Sequence, residues 1–421
     1  MPATEPEAAR DPPPAGVAAA NPPGLVVEAA AVAVDEPASR IRDKGAKRRH
    51  PVSERHLRLS LAVFDRLLMS TLLPGTKVIK WKGKRVRTLV SQYAAFLDGR
   101  IHEVAIDWYA QADDGAVWYF GEDVFNYDEA GKVADTHGTW LAGKDGPPGM
   151  IMPGKPRVGD VYRPENIPGN VFEEVTVKAV GRTTNGPRGR VRGALVIDEL
   201  HMDGTREDKV FAPGYGEFIT GGGGDLEAAA LAIPTDALAG PVPAAVRTLT
   251  TGAASIFDAA RQNRWPAAAA TLARMVAAWD TYQQRKGAAM LESQMGAALV
   301  YLVAAVDARQ VAESRQAAID VARAGLDFEL RHRPVAKVDL DRFGLWVRQA
   351  QVDAAARDRG ALTGDVATLE WVFDRFAHTL GGSAKRLETQ LAALRAAARA
   401  DGFAQALSAS AKLRATLAEL S

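Results

Sequence analysis

The chain has 421 residues, with 52 Lys and Arg against 51 Asp and Glu, giving a formal net charge of +1. Such a balance provides no overall field for nucleic acid or an anionic membrane, so neither is expected as a partner. The absence of cysteine excludes disulfides, thiolate catalysis and Cys-based metal sites, while 47% hydrophobic residues can fill two domain cores.

Residues 1–50 are rich in Pro and Ala and poor in aromatics, the composition of a disordered tail. They end in a basic cluster from Arg40 to Arg49, which reads as solvated linker charge. The apolar piece Gly24–Val34 is interrupted by Glu28 and followed by Asp35-Glu36, and it does not read as a signal peptide. No run of about 18 apolar residues occurs, so no integral membrane segment is expected.

From Ser53 to Leu73 the residues Leu57, Leu61, Phe64 and Leu68 recur at helical spacing. The pattern predicts a helix capped by Ser53 and ended by Pro74-Gly75, leading a β domain over 51–219. Strands are expected at Thr76–Trp81, Val86–Leu97, Val171–Val180, Arg190–His201 and Glu207–Phe218. Recurrent Asp-Gly and Asn-Gly turns argue an antiparallel meander, because parallel crossovers need long connections. The centre of this domain is Val104–Trp140, which turns at Asp113-Asp114-Gly115 and again near Glu129-Ala130-Gly131. Its neighbouring rings Trp108-Tyr109 and Trp118-Tyr119-Phe120 must point to opposite faces, so both faces of the sheet need cover. The Pro-rich stretch from Ala142 to Pro168 reads as a loop or lid, because proline is excluded from central strands.

The strings DWYAQADDGAVWYFGEDV at 107–124, GTWLAGKDGPPGMIMPGKPRVGDVYRPE at 138–165 and FAPGYGEF at 211–218 carry a likeness. Over roughly 70–220 the chain resembles a family of uncharacterised exported bacterial β-domain proteins, with four separated motifs in the same order. Pro164 stands where that family usually has Gln. The resemblance implies export to the cell envelope; it brings no activity.

Thr220–Asp225, with its four glycines, reads as a flexible linker opening a boundary over 220–242. Residues 243–421 are Ala-, Leu- and Arg-rich with helical periodicity. Turns at Asn263–Pro266, Asp307–Gln310, Asp358–Ala361 and Ala400–Phe403 recur roughly every 42–51 residues, predicting about eight helices in antiparallel pairs. Through Leu330–Pro334 and Asp339–Trp346 this half resembles helical domains of actinobacterial proteins of unknown role. The fold class is therefore α+β with two domains: an antiparallel β-meander followed by an all-α helical-hairpin bundle.

Chemistry is sparsely signalled. The seven histidines include no i, i+4 pair. A strand-borne metal site from His102, Glu122, Asp123, His137 and Glu173, or a helical one from Glu370, Asp374 and His378, competes with surface placement of the same groups. The adjacent carboxylates Asp113-Asp114, Glu122-Asp123 and Glu173-Glu174 read as solvent-facing. No Gly-x-Ser-x-Gly elbow or phosphate loop occurs. Neither a metal nor a cofactor is expected. The rings remain, either as core or as an apolar groove. The expected function is non-catalytic capture of a small apolar or amphipathic ligand by Trp108, Trp118, Phe120, Trp140, Met150 and Met152, with the helical half docking a protein partner. The alternatives are a metal-dependent enzyme using β-domain His and carboxylates, or a scaffold of helical repeats.

Overall fold

The computed structural model describes residues 26–29, 66–97, 99–186, 189–212, 216–222, 225–231, 238–284 and 289–420. The first strands are β1 (Val26–Ala29), β2 (Arg66–Trp81), β3 (Lys84–Leu97), β4 (Arg100–Gln111), β5 (Val117–Tyr127), β6 (Val133–Asp135) and β7 (Trp140–Leu141). They are followed by β8 (Gly149–Met152), β9 (Val161–Ile167), β10 (Val171–Gly186), β11 (Gly189–His201), β12 (Arg206–Ala212), β13 (Gly216–Gly222) and β14 (Asp225–Leu231). All belong to one antiparallel sheet in the order β6-β5-β4-β3-β2-β1-β14-β13-β12-β11-β10-β9, with β7 and β8 paired to β5. Two meanders, β2–β6 and β9–β14, are thus joined through β1, which pairs with both β2 and β14.

The sheet curls until its ends meet. β8 is hydrogen-bonded to β5 and also lies against β9, so closely that a Cβ on Gly149 would collide with the Pro164 carbonyl. Alternation along the strands sorts the two faces. Val175, Val177, Leu195 and Ile197 point inward and are buried, while Lys178 on the other face meets Asp198 (3.3 Å) and Asp208 (2.5 Å).

Several expectations for this half are corrected. The predicted helix over Ser53–Leu73 ends inside β2, and its earlier part, 53–65, lies outside the described residues. Pro74-Gly75 does not end an element; it sits in a register shift between Leu72 and Thr76 where β2 bulges against β3. A long cross-strand partner outweighs a four-residue apolar spacing. The Pro-rich stretch is not a lid. It contains β8 and β9, with Pro164 in β9 at the end of the sheet order, where proline is tolerated. The expected strand Glu207–Phe218 is two strands, β12 and β13. The glycine run is no linker: β13 and β14 pair across it, with Gly221 opposite Leu226 and Gly222 opposite Asp225. The expected N-terminal tail lies outside the described residues except for β1.

Eight α-helices follow among the described residues: α1 (Ala244–Arg261), α2 (Trp265–Gln283), α3 (Ala289–Asp307), α4 (Val311–Glu329), α5 (Val335–Ala356), α6 (Arg359–Phe376), α7 (Ser383–Arg399) and α8 (Phe403–Leu420). The four expected hairpin turns are all present and share one geometry. Asn263, Arg309, Arg357 and Asp401 have φ of 55°, 54°, 58° and 55°. In each turn the next residue's N–H reaches back to a carbonyl five residues earlier, as Arg264 does to Ala259 and Gly402 to Ala397 (both 2.9 Å). No described helix is long and apolar enough to cross a membrane.

The helices form two cores. One is built from α1–α4 around Leu249, Met275, Met295 and Leu302. The other is built from α5–α8 around Phe343, Phe376 and Leu394, and it continues into the sheet through Ala94, Phe96, Ile101 and Val104. The exposed face of the meander is therefore covered by the helical half. Trp346 stacks on Phe96 (5.1 Å between ring centres), and Trp371 lies against Phe125 and donates Nε1–H to the Tyr127 hydroxyl (2.8 Å). Gln92 donates to the Trp371 carbonyl (3.1 Å) and accepts from Arg375 (2.6 Å). At the Glu129–Gly131 turn, a Cβ on Gly131 would strike the backbone of Gly364, so chain and helix meet backbone to backbone.

Candidate functional site

The ring residues singled out in the sequence are packed in the core. Trp108, Trp118, Phe120 and Trp140 are 2, 6, 3 and 1% exposed and belong to one cluster with Ile79, Tyr119 and Ile167. The Trp108 ring is capped by the Lys77 ammonium at 3.0 Å from its centre. Met150 and Met152 are half-buried on β8, opposite Trp118 and Val117 in register, and both also pack on the Tyr162–Val175 cluster. These six side chains fasten the seam where the curled sheet meets itself.

Beside the rings lies a row of inward-facing carboxylates, among them Glu122 and Glu173, which correct the expectation that both face solvent. Adjacent strand residues point to opposite faces, so each apparent pair is split. Glu122 is buried while Asp123 is exposed. Glu173 faces inward while Glu174 pairs with Arg163 at 2.8 Å on the other face. The true neighbours are cross-strand: Asp107 is opposite Glu122, and Glu165 is opposite Glu173. Tyr119 donates its hydroxyl to Asp107 (2.8 Å), and Trp140 donates Nε1–H to Glu165 (2.5 Å). Burial pushes Asp107 up to about 7, opposed by the Tyr119 hydrogen bond and reinforced by Glu165 and Glu103. Burial also holds Glu122 and Glu173 well above the carboxylate range, helped by Glu165 beside Glu122 and by Glu199 beside Glu173. Burial raises Glu165 as well, while the Trp140 hydrogen bond opposes that rise.

Further along, the ligand atoms of Glu173, Glu199 and His201 lie within 4.8 Å of one another, a spacing a metal could bridge. The protein already supplies a cation there. Lys209 Nζ is 2.8 Å from Glu199. Burial alone would lower its pKa, but Glu217, Glu199, Glu173 and Glu207 together hold it well above the usual lysine value. The cluster is an ammonium-centred ion group. Of the strand-borne set weighed from sequence, His102, Asp123 and His137 are exposed and apart from it. In the helical half, Glu370 pairs with Arg395, and Asp374 and His378 are exposed. Neither group comes together.

Among the described residues a cavity opens in the helical half. A groove of about 570 Å³ runs between α1, α4, α5 and α8, walled by small and apolar side chains such as Ala253, Ala318, Ala322, Leu326, Gly344 and Leu345. At one end Arg333 pairs with Glu329 and with Asp341 (2.7 Å). The other end is cationic. The guanidinium groups of Arg315, Arg414 and Arg348 stand 4.4, 5.7 and 5.9 Å from the centre of the Phe257 ring. Arg414 is matched by Asp258 in a two-pronged contact (3.2 and 2.9 Å) that links α8 to α1. Among the described residues Arg315 and Arg348 have no carboxylate in ion-pair reach, and each has a buried Nε that donates to nothing. Burial lowers the pKa of both, and a neighbouring guanidinium lowers it further, Arg261 for Arg315 and Arg414 for Arg348, while Asp258 acts in the opposite sense on each.

No family model, curated protein or solved structure matches this chain. The groove escaped sequence reading because its arginines come from α4, α5 and α8. Each alone looks like a solvated charge on an Ala-rich helix. The one available sign was Arg348, which immediately follows the buried run Phe343–Val347.

Proposed function

We propose that this protein binds a small, largely apolar molecule, and that the site is the groove between α1, α4, α5 and α8. The ligand class is the one expected from sequence; its place is the helical half, because the rings of the β hairpin are already packed against their own domain. The observation that carries the reading is the groove itself. Its volume and apolar walls with a few converging polar groups are the usual character of a small-molecule site. Two rigid parts frame it: the α1–α4 core on one side, and α5 and α8 on the other, anchored through their core to the curled sheet. The likeness to exported β proteins supports the sheet as a domain and adds nothing about the ligand.

The test is titration with N-phenyl-1-naphthylamine, a neutral apolar fluorophore. Saturable binding near one equivalent is expected, and it should be lost in Ala254→Trp or Ala418→Trp, two accessible wall positions where an indole would fill the groove. Unsaturable binding, or binding indifferent to both substitutions while they fold normally, would remove the proposal.

A further inference from the structure

Resting on that reading, we infer that the groove's ligand is an amphipathic anion, its carboxylate or phosphate group seated at Arg348 beside Arg414 and Arg315 and its apolar part lying along the alanine-rich walls. Arg348 and Arg414 line the groove itself, and Arg315 stands behind them on the Phe257 ring, which also lines it. Three guanidinium groups therefore surround one ring, and the one carboxylate engaged with any of them is Asp258, already committed to Arg414. Arg348 makes a single long bond, from Nη1 to the Gly344 carbonyl at 3.4 Å. Arg315 is only 6% exposed and stacks on Phe257 without a carboxylate partner among the described residues.

Burying an unmatched guanidinium is unfavourable, and crowding two more beside it adds repulsion. Two buried arginines elsewhere in the helical half are matched: Arg342 has Asp327 (3.0 Å) and Asp339 (3.1 Å), and Arg375 has Gln92 and Asp339. The groove end departs from that pattern: among the described residues its three guanidinium groups have Asp258 as their one carboxylate in ion-pair reach. An incoming carboxylate or phosphate would accept from the free guanidinium nitrogens in charge-assisted bonds and relieve the repulsion between Arg348 and Arg414. The polar group at the other end already sets two carboxylates, Glu329 and Asp341, against the single guanidinium of Arg333 and offers an anion no comparable gain. Orientation follows: headgroup toward Phe257 and tail toward Leu326 and Leu340.

The experiment is displacement of bound N-phenyl-1-naphthylamine from the full chain by dodecanoate, dodecyl phosphate, dodecan-1-ol and inorganic phosphate. Both anionic amphiphiles should displace the probe at concentrations about tenfold or more below dodecan-1-ol. Arg348→Met should narrow that advantage by weakening both anions more than dodecan-1-ol, and Arg348→Lys should restore part of it. Inorganic phosphate that blocks dodecyl phosphate without displacing the probe would identify the headgroup seat itself. A probe that binds wild type but is displaced equally by alcohol and anions overturns the anion inference and leaves the groove standing. Failure of the probe to bind at all removes the groove reading first.

Discussion

The interior of the sheet and the groove of the helical half are buried polar sites of opposite sign, resolved in opposite ways. In the sheet, Asp107, Glu122, Glu165, Glu173 and Glu199 outnumber the cations they face, Lys209 and His201. Carboxylates can escape this by binding a proton more tightly, and burial raises Asp107, Glu122, Glu165 and Glu173 in that direction. Arginine has no such escape near neutral pH. An excess of buried guanidinium must find an external anion or remain a standing cost. The same imbalance therefore leaves carboxylates of raised proton affinity in one half and poorly matched guanidinium groups in the other.

The largest effect is expected at the joint between the two. Asp339 is the carboxylate shared by Arg342 and Arg375, and Arg375 in turn holds Gln92 of the sheet. Asp339→Ala leaves two buried guanidinium groups without it and should cost about 3–5 kcal/mol in urea unfolding. A loss below about 1 kcal/mol would mean that sheet and helices are not coupled through this network.

Next comes the pH dependence of the sheet. Asp107 has a folded value of about 7 against an unfolded value of 3.8. The folded state holds the proton more tightly, so this contribution is fully present below about pH 4 and fades as pH rises toward 7. It is on the order of 4 kcal/mol across that window, with Glu122 and Glu173 acting in the same direction. Unfolding midpoints measured from pH 4 to 8 should fall, and Asp107→Asn, which keeps a neutral partner for Tyr119, should flatten the fall. A midpoint that climbs over this range would contradict the protonated seam.

The smallest effect has the opposite sign and separates the two sites most sharply. Without ligand, Arg348→Met should leave stability unchanged or raise it by about 1 kcal/mol, since an apolar side chain of similar length replaces a poorly matched charge. Marked destabilisation would show that the groove's cationic end is structural, which would bring it closer to the seam in kind.

Much of the architecture was legible in the chain. The four helix turns were visible because each marks a break in apolar periodicity, and the meander because Asp-Gly pairs separate β-branched and aromatic runs. The errors share a cause. Leu57 to Leu73 has helical spacing, yet its C-terminal part is the start of β2, whose partner β3 lies beyond a turn the local pattern ignores. The glycines at 221–224 resemble a linker until β14 is seen to pair β13 and β1. Carboxylates adjacent in sequence were read as pairs, although a strand sends them to opposite faces.

Local pattern determined the element types, the turn positions and the need to shelter both faces of the aromatic hairpin, because backbone preference and side-chain periodicity act over a few residues. Tertiary structure alone decided that α5 and α6 would provide that shelter, that carboxylates from β4, β5, β9, β10 and β11 would share one interior, and that arginines from three helices would gather around Phe257. Each of these depends on which surfaces meet after the chain has closed loops of tens to hundreds of residues, and burial, the quantity that turns an ordinary charge into a site, exists only once they have met.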